Sequence, residues 1–236
     1  MSIKLKPRLA GVASLVPAKS VVADIGTDHA YLPLYLVKEK ACSRVIAVEK
    51  SSLNSKTAWE TVHFFKLAQK VEVRIGDGLQ ALNENDGVEV VVIAGLGGKT
   101  ICSMFQAAVH QLCQHRRFVL QPMGNAALVR RWLAAQGYCF PQERLAFENG
   151  HFYEIIAAEK GRLAVTEPFV WELGPALLKG NDPLFVPWLK HKIRCYEKIL
   201  QGLLLSRRGK KDPRWRYYNL QYASLKGVLS DVCHRD

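Results

Sequence analysis

The stretch VVADIGTDHAYLPLYL, Val21 to Leu36, sets Asp24, Gly26, Asp28 and His29 within six residues at the end of an apolar run. Two carboxylates, a glycine and an imidazole at that spacing line a turn where the chain passes from strand to helix. Nucleotide-binding turns of this kind hold a pyrophosphate at the helix N-terminus, through the close backbone approach that GxGxxG glycines permit. Here the run is GTDHAY, and Asp28 sets a negative charge where the phosphates would lie. Other apolar runs end in comparable chemistry. Glu49 is placed to accept both hydroxyls of a ribose. Asp77 and Gly78, after Gly76, can take the exocyclic amine of adenine and leave room for the ring; a simple GDG turn is the other reading. In IAGLGG, residues Ala94, Gly95, Gly97 and Gly98 form a bend of little bulk that lets a substrate atom approach, and Gln121 and Pro122 close a fifth run.

A nicotinamide dinucleotide and S-adenosylmethionine would both use Glu49, so the first turn discriminates between them. S-adenosylmethionine has no phosphate, carries a sulfonium and an ammonium group, and tolerates carboxylates nearby. The residues therefore favour S-adenosylmethionine. Asp28 also stands where a helix N-cap would stand, and capping and ligand contact can coexist. His29, beside Ala30 and Tyr31, also reads as a packed, hydrogen-bonded residue.

These positions demand a parallel sheet whose strands all end on one side. Runs rich in Val and Ile predict strands at 20–25, 44–49, 71–75, 88–94 and 117–121, with a last pair near 140–147 and 152–159. Segments of helical period predict helices near 31–40, 53–67, 99–113 and 125–136, the last with Asn125 at its N-cap and Gly137 just past its end. Alternation of this kind builds a Rossmann-like α/β sheet with helices on both faces. Glu148-Asn149-Gly150 between the last two strands predicts a hairpin, hence an antiparallel edge foreign to the simplest dinucleotide-binding order.

At 236 residues and 49% hydrophobic content the chain can bury a full α/β core with a smaller appendage. The N-terminus has basic residues without a signal-like apolar run, and nothing reaches the roughly 18 apolar residues of a membrane span, so a cytoplasmic protein is expected. The six cysteines lack CxxC spacing, which predicts reduced, mostly buried thiols and no metal site. Net charge is +12, of which +5 falls up to Lys160 and +7 on the shorter remainder, a density that suits a polyanion such as nucleic acid.

The division expected is a catalytic domain over 1–160 and a basic helical hairpin over 161–236. Prolines and glycines break up the start of the second part, and two helical stretches follow. In the later one, Trp215, Tyr218, Tyr222, Leu225, Leu229 and Val232 repeat at 3 and 4, a coiled-coil-like seam; Phe185, Leu189, Tyr196, Leu200 and Leu203 follow it less strictly. Between them Asp212 can cap the second helix with Pro213 at its first position, leaving Arg207, Arg208, Lys210, Lys211 and Arg214 at the tip, either as a solvated loop or as RNA contacts.

With DIGTDHAYLPLYL, GDGL, IAGLGG, LQPM and RRWLAAQGY in this order, the chain resembles the bacterial tRNA (adenine-22-N1)-methyltransferases from about Lys6 through GHFYEIIAAEKG, with a helical hairpin similar in kind beyond. The resemblance implies a class I methyltransferase fold, S-adenosylmethionine as donor and methylation of adenine N1 in the D-arm of tRNA. It assigns Asp24, Gly26, Asp28 and His29 to the first cofactor motif, Glu49 to ribose, Asp77 to adenine, and Gly95, Gly97 and Gly98 to the catalytic face. The chain departs from the family's usual pattern at Leu96, where Met is common, at Met123, where some relatives carry Asn, and in EKSSLN after the ribose carboxylate.

N1 of adenine is nucleophilic through an in-plane lone pair, so positioning rather than deprotonation should carry the reaction. The product is cationic, which makes Asp28 the first candidate for a stabilising carboxylate. N1 lies on the pairing edge, so the target must be unpaired or extruded, with Tyr31 available to stack on it or to pack on a helix face. Phosphate contacts fall to the basic tail and to Lys4, Lys6 and Arg8. A monomer or a weak homodimer paired through the hairpin would suit this reading. The competing readings are methylation of another RNA or a small molecule, RNA binding without catalysis, and nicotinamide oxidoreduction.

Overall fold

The computed structural model describes residues 3–110, 116–163, 167–206 and 208–233. Seven strands form one sheet: β1 (Val21–Ile25), β2 (Arg44–Glu49), β3 (Val71–Ile75), β4 (Val90–Leu96), β5 (Arg117–Pro122), β6 (Tyr138–Glu148) and β7 (His151–Lys160). Their order is β3-β2-β1-β4-β5-β7-β6. The first five are parallel, and β7 is antiparallel to both β5 and β6. The antiparallel strand therefore lies one place inside the edge, and β6 forms the edge itself.

Successive side chains of a strand point to opposite faces, and in a parallel sheet both faces are covered. Val22, Val45, Ala47, Val90 and Val92 pack on one face with helices α1 (Pro7–Ser14), α2 (Tyr31–Glu39) and α3 (Ser52–Phe64). Ala23, Ile25, Ile46, Val91 and Ile93 pack on the other with α4 (Gly98–Ala107) and α5 (Ala126–Ala135). The β6–β7 loop is Asn149-Gly150, both at positive φ (51° and 80°), as a two-residue hairpin matched to strand twist requires.

The structure differs from the sequence reading at four points. Helix α1 is unanticipated: eight residues carry too little periodicity, although Pro7 at the first helical position is a start signal. Helix α3 ends before 67 because Lys66 turns left-handed (φ 56°). Helix α4 ends at Ala107, short of the 113 expected, and residues 111–113 lie outside the described residues. Among the described cysteines Cys42 is buried, whereas Cys102, Cys139 and Cys195 are only half-buried.

After β7 come the short helices α6 (Pro168–Leu173) and α7 (Pro175–Lys179), then α8 (Phe185–Leu205) and α9 (Pro213–Cys233), which pair as a hairpin. Asp212 accepts from the backbone N–H of Arg214, so the expected cap forms. A third apolar cluster joins Leu173, Leu177, Trp188, Leu189 and Leu225 to Leu145 of β6, and seats the hairpin against the edge strand. Polar groups fix the joint. Arg130 of α5, fully buried, meets Glu143 at 2.6 Å and Glu154 at 2.9 Å. Glu172 of α6 accepts from Tyr196 of α8 and Tyr217 of α9 and pairs with Arg131 of α5. Burial first, then the Glu172 carboxylate, pushes the Tyr196 phenol above its ordinary value. Among the described residues no helix is long and apolar enough to cross a membrane.

Candidate active site

The strand order reverses between β1 and β4, and ligands of doubly wound sheets sit outside the carboxyl ends of the strands at that point. A cavity of about 670 Å³ lies there. The β1–α2 turn contributes Asp24 and Gly26 to Leu32, the end of β4 contributes Ala94, Gly95 and Leu96, and the opposite wall is Lys4, Leu5, Lys6, Arg8 and Leu9 around α1, with Glu148 of β6.

The turn is held by backbone. Gly26, at φ 81°, and Thr27 both donate to the carbonyl of Val48 in β2 (2.8 and 3.1 Å), which folds the chain over the end of β1. Thr27 is buried and its hydroxyl donates to Asp24 Oδ2 at 2.7 Å. Asp24 is 5% exposed, and burial, outweighing the Thr27 bond, pushes its carboxyl up to about 6. A cationic ligand in the cavity supplies what this carboxylate lacks. Asp28 is not engaged in capping: the N-cap of α2 is Ala30, left-handed and without a side-chain bond. The exposed Asp28 carboxylate instead stands 3.3 Å from His29 Nε2, and the ring of His29 is 5.9 Å from that of the half-exposed Tyr31.

Beyond β2 and β3 the same edge of the sheet continues outside the cavity lining. Glu49 accepts from Ser51 N at 2.8 Å, and the backbone N–H of Gly76 donates to the Glu49 carbonyl. Asp77 pairs with Lys50 at 2.8 Å; both are exposed, so the pair is weak and readily shared with a ligand. Gly78 has φ 60°, and its face is closed by Met104. On β4, Gly95 has φ 81° at a register shift between Ala94 and Leu96. Gly97 is the extended N-cap of α4, whereas Gly98 packs against the carbonyls of Gly124 and Asn125, so closely that a Cβ there would lie 2.6 Å from the first.

Gln121 is fully buried and works through its neighbours. Its Oε1 accepts from Arg8 Nη1 (2.6 Å) and from the Gly95 N–H (3.1 Å), while its amide nitrogen donates to the Pro122 carbonyl. Pro122 is buried too, beside the exposed Met123. The backbone N–H of Arg8 donates to Glu148, and its guanidinium lies 5.8 Å from the ring centre of Tyr153. The cavity lining thus carries carboxylates on the β1–α2 turn and three cations, Lys4, Lys6 and Arg8, on the segment that runs into α1. At the hairpin tip Arg208, Lys210 and Lys211 are exposed, Arg214 is bonded to Asp212, and Lys210 lies 5.5 Å from the ring centre of Trp215. Arg207 lies outside the described residues. The tip is not part of the cavity.

Thr27, Lys50 and Glu148 had no role at the site in the sequence reading, where Glu148 served only as part of the hairpin signal. Thr27 was legible as a hydroxyl three residues after a strand-end carboxylate; Glu148 was not, because it meets Arg8 across 140 positions. Among the described residues no cluster of His, Cys, Asp or Glu suits a metal ion.

The methyltransferase-domain family matches residues 5–156. The tRNA (adenine(22)-N(1))-methyltransferase of Bacillus subtilis strain 168 is 35% identical over 209 residues, spanning 85% of this chain and 87% of its own length. Among solved structures, Streptococcus pneumoniae Sp1610 in complex with S-adenosyl-L-methionine is similar with a TM-score of 0.85 at 30% identity, over 96% of this chain and all of that one. The B. subtilis m1A22 tRNA methyltransferase TrmK gives 0.84 at 28% identity, over 97% of this chain and all of that one.

Proposed function

Since the chain belongs to the tRNA (adenine(22)-N(1))-methyltransferase family, we propose that it transfers the methyl group of S-adenosylmethionine to N1 of adenine 22 in the D-arm of tRNA. The observation that carries this reading is the acidic turn at the switch in strand order, Asp24 buried and Asp28 exposed, with the cations Lys4, Lys6 and Arg8 in the same cavity lining. Bound there, S-adenosylmethionine supplies an electrophilic methyl group on a sulfonium. Asp24 holds the ligand's positive end and, in doing so, is itself held ionised. Glu49 accepts the ribose hydroxyls, its Oε1 held by the backbone N–H of Ser51. Asp77 and the backbone of Gly78 receive the adenine of the donor, beside Met104, and His29 orients Asp28.

The target adenine enters between Tyr31, Ala94, Gly95 and α1. Its lone pair needs no base, so the protein's contribution is alignment and charge: Asp28 stabilises the cation that develops on the ring, and Tyr31 stacks on it. Gln121 is a positioning residue that joins Arg8 to the Gly95 bend, and Pro122 sets the strand end beneath it. Lys4, Lys6 and Arg8 meet phosphates at the mouth. Residues 1–160 act as the catalytic domain; 161–236 act as a tRNA-binding hairpin through Arg207, Arg208, Lys210, Lys211 and Arg214. The protein works in the cytoplasm, as a monomer or weak homodimer.

Purified protein incubated with methyl-labelled S-adenosylmethionine and unmodified tRNA transcripts tests this. The expected result is label in N1-methyladenosine at position 22 by nucleoside analysis and primer extension, lost in Asp28→Ala. Cofactor binding without transfer to any tRNA would overturn the substrate assignment.

A further inference from the structure

Separate from the cavity, a groove of about 520 Å³ runs between the β6–β7 turn and the first half of α8. Phe147 and Phe152 face each other across the hairpin with ring centres 4.7 Å apart, and Phe152 lies 5.4 Å from the ring of His191. Three rings thus form a row. Phe147 is 46% exposed although it sits next in sequence to Glu148, which lines the active-site cavity. The other wall is Pro187, Lys190, His191 and Arg194. Lys190 and Arg194 are one helical turn apart and both exposed.

Unstacked bases bind where aromatic faces and cations stand together. We propose that this groove holds an unpaired nucleotide of the tRNA outside the methylation site, its base stacked on Phe147 and its phosphate between Lys190 and Arg194. The inference rests on the methyltransferase reading above and deepens it. Cations opposite the rings point to a nucleic-acid occupant, on the face of the hairpin opposite to Glu148, since neighbours along a strand point to opposite faces. The groove also extends the RNA-binding face inward from the hairpin tip, which lies roughly 20 Å farther along α8 at 1.5 Å per residue.

Unmodified tRNA transcript is titrated onto the full chain, with S-adenosylmethionine affinity measured in parallel. Phe147→Leu weakens tRNA binding about tenfold, and Phe147→Trp restores it, the size expected for one stacked base. Lys190→Ala with Arg194→Ala lowers the slope of log affinity against log salt by between one and two. S-adenosylmethionine affinity stays unchanged in all variants. Indifference of tRNA affinity to Phe147→Leu together with an unchanged salt slope overturns the groove, as does a parallel loss of cofactor affinity, which would mark a change in fold. A wild-type protein that neither binds nor methylates tRNA overturns the function itself; wild-type activity with indifferent variants overturns the groove alone.

Discussion

At the end of β1 a carboxylate is enclosed, 5% exposed and pushed up to about 6, whereas at the tip of the α8–α9 hairpin Lys210 and Lys211 stand in solvent. The acid is held by a strand buried on both faces and by a turn bonded to Val48; the bases ride on a helix about 30 Å long. Burial makes Asp24 individually strong, because a charge removed from water responds sharply to the next charge that arrives. Exposure makes each group at the tip individually weak and screened by salt, so the tip acts by number. The two regions are joined by Arg130, Arg131 and Glu172, whose contacts reach α5, β6, β7, α8 and α9.

Breaking that joint should have the largest effect. Arg130→Ala leaves Glu143 and Glu154 without their buried cation, and unfolding free energy should drop by about 3–5 kcal/mol in urea titration. Next comes Asp24, with the opposite sign. Its folded pKa, about 6 against 3.8, is raised, so its contribution to the ligand-free fold is complete below 3.8 and lost as pH rises through 6. By pH 7.5 the loss amounts to about 3 kcal/mol. Relative to wild type, Asp24→Asn should therefore gain stability between pH 4 and 7.5 while losing affinity for S-adenosylmethionine. The wild-type affinity itself should rise as pH passes upward through 6, because the cation favours the ionised carboxylate, and isothermal titration at pH 5 and 7 reads this directly.

Asp28→Ala should lower methyl transfer about 100-fold in single-turnover kinetics while tRNA affinity holds, since one stabilising group aimed at developing charge is worth that much. The smallest effect belongs to the tip: Lys210→Ala with Lys211→Ala should weaken tRNA binding a few-fold and reduce the salt slope by between one and two, with kcat unchanged. A tip variant that abolished turnover, or an Asp28→Ala that lost only tRNA affinity, would erase the distinction between the two regions.

Much of the cleft was legible because its residues are local to strand ends. Val-rich runs mark β1, β2 and β4, so the residues that follow, Asp24 to His29, Glu49 and Ala94 to Gly98, must emerge on one side of a parallel sheet. The Asn149-Gly150 hairpin and the cap at Asp212 are likewise short-range, set by backbone preferences of two or three residues. The cationic part of the lining was not legible in this way. Arg8 was marked only as a cation near the N-terminus, and α1 itself went unseen; what makes Arg8 part of a site is Gln121, 113 positions away, and Glu148, farther still. The seam of α9 was readable as 3 and 4 spacing, but Gln221, buried on the same helix, was not, since a polar residue gives no apolar signal.

The sequence by itself determined the strands, the two-residue turn, the acidic replacement of a phosphate loop and the excess of positive charge near the C-terminus, all consequences of residue type acting over one or two turns of chain. Only the tertiary structure decided that β7 inserts between β5 and β6, that α1 folds back over the strand ends, and that Phe147 and Arg194 share a groove. These depend on which buried surfaces meet, and burial is a property of the whole packed chain that no local spacing encodes.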